Sequence, residues 1–373
     1  MVTLLNQPVP VMDASKRRGR KIIIIPLLLC TQSYASTAPE FDMHVFDDSQ
    51  PVLAQVEASS GQEPEFQMVI YTADEVSKVD SAEYTEDDHS QIMFQFSTGY
   101  MQNDTEWNVS APGGIPNPLL ETKWQQLDLF NLQGQADITL PYGLAFKAAG
   151  SYAWGLDGSG KQTLYMGNNR TLPFSSVSGN SDDTHMWSLS FAGGYQFDFG
   201  TPNSSPMWLS IKPLAGYAWQ KQKLTLQNGR QSIATLGLDE SSEDFELIYD
   251  TDWSGPWVGG DMTFGFLQHH ALFSSFEHHW ADFSAEGRSK LSEEGLSQQF
   301  QHDADATGIN ASVGYRFISD DSWGLSLSAD YKKWTTDGGK ETLLLEDGSS
   351  VQTRLNRVES ESVGLNLGIN FSF

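Results

Sequence analysis

The sequence is short of cysteine, of positive charge and of long apolar runs, and each shortage excludes something. Cys30 is the single cysteine of the 373 residues, so no disulfide forms within the chain and no thiolate cluster holds a metal. Lys and Arg number 22 against 48 Asp and Glu, for a formal net charge of -26. That balance leaves no basic footprint for a nucleic acid. No stretch of about 18 apolar residues exists, so no apolar helix of membrane-spanning length is present. Aromatics nonetheless reach 12%, with 11 Trp and 21 Phe, a composition that disordered chains do not have.

The charge is unevenly placed. Lys16, Arg17, Arg18, Arg20 and Lys21 precede an apolar run from Ile22 to Cys30 and a small-x-small ending at Ser33-Tyr34-Ala35. This reads as a secretory signal peptide over residues 1–35, with the residues before Met12 read as an over-long start. Leu29 before Cys30 does not suit a lipoprotein anchor. Residues 36–90 hold 14 acids and one base, Lys78, and are expected to form an acidic, mostly flexible arm, with Phe66 to Val79 as an optional short element.

From residue 92 the chain alternates with a period of two. Phe94, Phe96 and Tyr100 oppose Gln95, Ser97 and Gly99; Val363, Leu365, Leu367 and Ile369 oppose Gly364, Asn366, Gly368 and Asn370. Ten such segments follow one another. Short turns at 141–143, 200–206, 268–270 and 318–322 alternate with polar stretches near 103–123, 155–185, 227–255, 284–306 and 334–361. An even strand count, with short turns at one end and long connections at the other, is the pattern of an outer-membrane barrel. Closure lets strands this polar satisfy every backbone hydrogen bond in lipid. The expectation is an all-β fold over residues 91–373: a ten-stranded antiparallel transmembrane β-barrel with five long extracellular loops. A soluble β-sandwich or lipocalin-like barrel is the competing reading, but sandwich strands average about five or six residues.

Trp154, Trp187, Trp219, Trp257, Trp280 and Trp334 fall where strands meet the long stretches, and Trp208 and Trp323 follow short turns. They are read as two interfacial girdles. The expected lumen residues Asp137, Lys147, Asp198, Lys212, Asp261, Arg316, Asp330 and Lys332 carry both signs, which favours internal ion pairs over a single-sign ion pathway. Ten strands also lie near the side-chain-filled end of the barrel series.

Several stretches resemble the omptins, outer-membrane proteases with ten strands and five outer loops. They are Leu127-Asp128 leading into a long strand, Pro213 to Tyr217, the set Tyr249, Trp253, Pro256, Trp257 and Gly259, and the closing Gly368 to Phe373. The chain is also similar to outer-membrane barrels of chlamydia-like bacteria. The omptin resemblance implies an Asp-x-Asp pair at the second outer loop and an Asp–His pair at the fourth, holding and activating a water. The matching stretches here are Gln162 to Gly167, without a carboxylate, and Ala281 to Lys290, without a histidine.

Asp182, Asp183 and His185, together with His278 and His279 beside Glu277, are the substitute catalytic candidates. Asp250-Thr251-Asp252 has the catalytic spelling but lies in the third stretch and is read as coincidence. His269-His270 and His278-His279 do not read as metal sites, because neighbours on a strand point to opposite faces. Asp157 to Gly160 and Asp337 to Gly339 read as turn chemistry. No cofactor or metal is called for. The reading is an outer-membrane barrel with a structural or surface-interaction role, more a binder than an enzyme. Its partners would be outer-membrane lipid, lipopolysaccharide and a surface or host ligand. The alternatives are a diverged omptin-like endopeptidase and a narrow pore. Oligomeric state is left open.

Overall fold

The computed structural model describes residues 90–200, 206–234, 245–291, 296–319, 322–345 and 347–373. The signal peptide at 1–35 and nearly all of the acidic arm at 36–90 lie outside the described residues. The strands are β1 (Gln91–Val109), β2 (Leu120–Thr139), β3 (Leu144–Tyr165), β4 (Pro173–Asn180), β5 (His185–Tyr195), β6 (Phe197–Phe199), β7 (Met207–Ala234), β8 (Phe245–Phe266), β9 (His270–Leu291), β10 (Leu296–Ile318), β11 (Trp323–Leu344) and β12 (Ser350–Ser372). All pairings are antiparallel. β1 pairs with both β2 and β12, which closes the ring. β4, β5 and β6 are pieces of one interrupted barrel position beside β7, so the twelve strands make ten positions, as the alternation implies.

In the inner half of the barrel the alternation sends apolar residues outward. Phe96, Leu132, Phe191, Met262, Phe276, Val313, Leu327 and Leu367 are exposed on the outer wall. Their sequence neighbours Ser97, Asn131, Ser326 and Asn366 are buried in the lumen. The opposing charges meet there. Lys147 Nζ lies 3.0 and 3.1 Å from the two oxygens of Asp261 and 3.9 Å from Glu277. Lys212 Nζ lies 3.4 Å from Asp137. Asp330 accepts from Gln133 Nε2 at 3.0 Å and Asn366 Nδ2 at 2.6 Å. Arg316 donates to Gln95 and stands 5.0 Å over the Phe273 ring. Asp198 departs from the expectation: it sits exposed on the three-residue β6.

The expected long outer loops are mostly wall. β3, β8, β9 and β11 each run 22 residues, and their ladders stay paired through the polar stretches. A strand of that length spans ~73 Å and, tilted by ~40°, rises ~55 Å, about twice the ~25 Å apolar band of an outer-membrane barrel. The described outer connections shrink to 110–119 and 166–172, with 345 and 347–349 between β11 and β12. The physical reason is that leaving hydrocarbon removes only the need for an apolar outer face; the backbone groups still bond best to each other in the ladder.

Above the lipid band the alternation changes face. On β8, Val258, Met262 and Phe264 point out, whereas Tyr249, Trp253 and Trp257 are buried inside and Asp250 and Asp252 lie outside. β9 does the same: Phe276 and Trp280 point out, then Ala281, Phe283 and Ala285 point in, with Asp282 and Glu286 exposed. The barrel is therefore polar inside where lipid surrounds it and apolar inside where water does. This corrects part of the girdle assignment. Trp154, Trp219, Trp280 and Trp323 are exposed, but Trp257 and Trp334 are buried at 1% and 3% and belong to the interior.

Candidate functional site

The outer half of the lumen is filled. Trp107, Trp124, Leu127, Leu129, Leu224, Leu226, Leu247, Tyr249, Trp253, Phe283, Phe300, Trp334, Leu355 and Val358 form one buried cluster drawn from every side of the ring. The Trp107 ring lies 5.7 Å from Tyr249 and 5.2 Å from Phe300, and Trp124 stacks on Tyr249 at 5.6 Å. Trp253 meets Phe283 at 4.3 Å and Trp334 at 5.8 Å. Trp334 reaches down to His279 at 4.7 Å, joining the apolar plug to the polar lumen beneath. Below the plug is a small chamber of about 150 Å³, lined by Ser151, Ser188, Ser190, Glu277, Asp330 and Lys332 among others.

His302 is enclosed in the plug. Its Nδ1 lies 2.8 Å from the Tyr249 hydroxyl and its Nε2 3.9 Å from Glu341, which accepts a bond from Thr353 at 2.7 Å. Burial pushes the His302 imidazole below its ordinary range, outweighing the pull of Glu341, and burial pushes the Tyr249 phenol well above its own. The phenol is thus protonated and placed to donate to Nδ1 of a neutral imidazole. The sequence reading gave His302 no role. The signal that would have found it is the phase switch: Phe300, His302, Ala304 and Ala306 share one parity, and Asp303 and Asp305 the other.

The substitute catalytic residues do not converge. Asp182 and Asp183 are exposed in the link between β4 and β5, with Asp183 3.7 Å from Lys223. His185 faces the outer wall and stacks on Tyr152 at 6.3 Å. His278 also faces outward, packed edge-on against Trp280 at 4.7 Å. His279 points into the lumen, 3.1 Å from Glu277 and 3.0 Å from Asn310. β5 and β9 are separated by β7 and β8, three strand spacings or ~14 Å. Of the candidates, only His279 meets a carboxylate within hydrogen-bond reach, and that pair lies beneath the plug. The stretch Gln162 to Gly167 carries Thr163 inward against Ser176, and Asp250 and Asp252 lie on the outer wall near Arg288 and Lys221. Among the described residues, no three His, Cys, Asp or Glu side chains group as a metal site.

The rim above the plug is knitted together. Connection 110–119 carries Pro112, Pro116 and Pro118, and its Asn117 N–H donates to Asn168 Oδ1 at 2.9 Å in connection 166–172. Asn169 N–H returns a bond to the Asn117 carbonyl at 2.9 Å, and Asn356 Nδ2 donates to Asn117 Oδ1 at 2.7 Å. Arg170 closes on Glu121 at 2.6 Å. This frame holds Ile115, Met166 and Leu172 in water, at 73%, 64% and 70% exposure.

The family model for the Protochlamydia outer membrane protein matches residues 95–373, the whole ring of strands but its first four residues. The chain belongs to that family. The family places this barrel in the bacterial outer membrane, which is where its apolar outer band fits. No curated protein matches the sequence significantly. Among solved structures, the barrel is similar to the outer membrane protease OmpT from Escherichia coli, with a TM-score of 0.62 at 13% identity, over 79% of this chain and 99% of that one. The translocator domain of the autotransporter NalP from Neisseria meningitidis also aligns, over 76% of this chain and 89% of that one, at 12% identity and a TM-score of 0.30. At such identities the likeness to OmpT is one of fold alone. This family member shares the ten-position ring and fills its outer end.

Proposed function

We propose that this barrel is a closed scaffold that displays a stiff outer rim for binding at the bacterial surface. The observation that carries the reading is the aromatic plug, which occupies the space where substrate or solute would pass. Ion-paired side chains on the outer wall just above the lipid band suit contact with lipopolysaccharide. Arg357 and Lys123 both pair with Glu106, and Lys333 pairs with Glu359 at 3.1 Å. Burial alone would raise the Glu106 carboxyl; the hydrogen bonds from Arg357 and Lys123 outweigh it and hold the pKa below its usual value. The exposed Ile115, Met166 and Leu172 then face outward above the sugar layer as a pre-set apolar contact.

The test is made on the purified, refolded chain. Planar-bilayer recording is expected to show no discrete conductance, and basic peptides are expected to stay intact. Cleavage that alanine at Asp183, His278 or His279 abolishes would establish the endopeptidase alternative instead. Steady single-channel steps would establish the pore.

A further inference from the structure

Beside the rim loop, the β11–β12 hairpin forms a depression of about 420 Å³ lined by Ser110, Gly113, Gly114, Lys340, Gln352 and Arg354, among others. Lys340 and Arg354 stand directly opposite each other across the ladder. Like charges so placed repel and destabilise the pair. In a chain of net charge -26, acids are plentiful, yet among the described residues no carboxylate comes within 4.0 Å of either cation. Asp303 faces Lys340 from β10 and still forms no ion pair with it. Of the other outer-wall cations, Lys123, Lys221, Lys333 and Arg357 are paired, while Lys161 and Lys290 form no ion pair among the described residues but do not stand beside a free loop amide.

The loop contributes donors to the same place. Gly113 and Gly114 have φ of +84° and +86°, a left-handed run that glycine adopts without strain. Gly114 N–H closes the turn on Ala111 O at 2.8 Å, and Ser110 N–H ties the loop to Arg354 O at 2.9 Å. The Gly113 N–H has no acceptor among the described residues. The free Gly113 N–H thus stands beside the two cations, and backbone N–H groups presented by turns of this kind bind anions.

From this we infer that the depression is a receptor site for a phosphate or sulfate group on a surface glycan, held by Lys340, Arg354 and the Gly113 amide. The inference deepens the surface-binding reading by naming a ligand class. An arginine supplies a planar fork to two oxygens and a lysine a point charge, the pair of donors a tetrahedral oxyanion uses.

The experiment uses the refolded full chain in lipopolysaccharide-free detergent, titrated with inorganic pyrophosphate and read by phosphorus NMR. The Lys340→Gln/Arg354→Gln double variant is expected to bind at least tenfold more weakly, and Arg288→Gln, on the outer wall of β9, to bind as the native chain does. Two further arms separate the sources: phosphorylated lipopolysaccharide core oligosaccharide, and a sulfated heparin oligosaccharide. Binding of either that depends on Lys340 and Arg354 supports the site and names its source. Equal pyrophosphate binding by native chain and double variant, or equal loss in Arg288→Gln, overturns it. Folding of each variant is checked by heat-modified gel mobility. Conductance and cleavage, which test the closed scaffold, are separate readouts, so the two can fail independently.

Discussion

Replacing Trp107 with alanine probes the plug at its centre. The indole is fully buried, and its ring is met by Tyr249, Phe300 and His302, the last at 4.9 Å. These neighbours sit on β8 and β10, each laddered on both sides, so the wall cannot close in to fill the space left. Buried Trp-to-Ala changes cost about 3–5 kcal/mol through lost transfer energy and the cavity. The Trp107 indole N–H has no acceptor among the described residues, so truncation breaks no hydrogen bond to the protein and the lower end, about 3 kcal/mol, is expected. Urea unfolding of the refolded barrel in micelles, followed by fluorescence, measures it. Trp107→Phe, which keeps most of the ring contact, should cost less than about 1.5 kcal/mol. Conductance should stay absent in both, because Trp253, Phe283 and Trp334 still close the lumen. A loss below about 1 kcal/mol for the alanine variant would refute a packed plug.

Three further outcomes follow from the interior. The folded pKa of His302 lies below its unfolded value near 6.5, so the unfolded state takes up the extra proton and stability falls as pH drops through that value. At about pH 5.5 the loss reaches at most ~1.4 kcal/mol, and it should be missing in His302→Gln when unfolding is compared between pH 7.5 and 5.5. Lys147→Met leaves Asp261 without its cation inside the lumen and should cost about 3–5 kcal/mol in the same urea assay. Gly259→Ala puts a methyl 2.0 Å from the Phe276 carbonyl oxygen on β9; a loss of about 1–3 kcal/mol is expected, read as a lowered unfolding midpoint.

The residues of the lipid band were legible because one physical demand acts on each of their faces. Phe94 and Phe96 against Gln95 and Ser97 can be read only one way once the outer solvent is lipid, and the family match and the ring of strands agree. The same holds for Lys147, Asp261 and Asp137, whose mixed signs foretold pairing rather than a path. The polar stretches were harder. Asp250, Asp252, Asp282 and Asp303 look like loop residues when the barrel is assumed to keep its polar side inward. They are wall residues of strands whose inner side has become apolar.

The sequence by itself therefore determined the ring: its ten positions, its membrane band and the chemistry of its inner lumen, all carried by alternation, a local property. Tertiary structure alone decided what the outer half contains. Trp107, Trp253 and Trp334 lie on β1, β8 and β11, and strand parity can turn each inward, but it does not say which side chains of other strands each will meet there. That choice depends on which solvent lies outside the wall at that height, and on side chains from distant strands arriving at one place. The separation of Asp183 from His278, and the meeting of Lys340 with Arg354 beside Gly113, were settled in the same way, by the register of the closed ring.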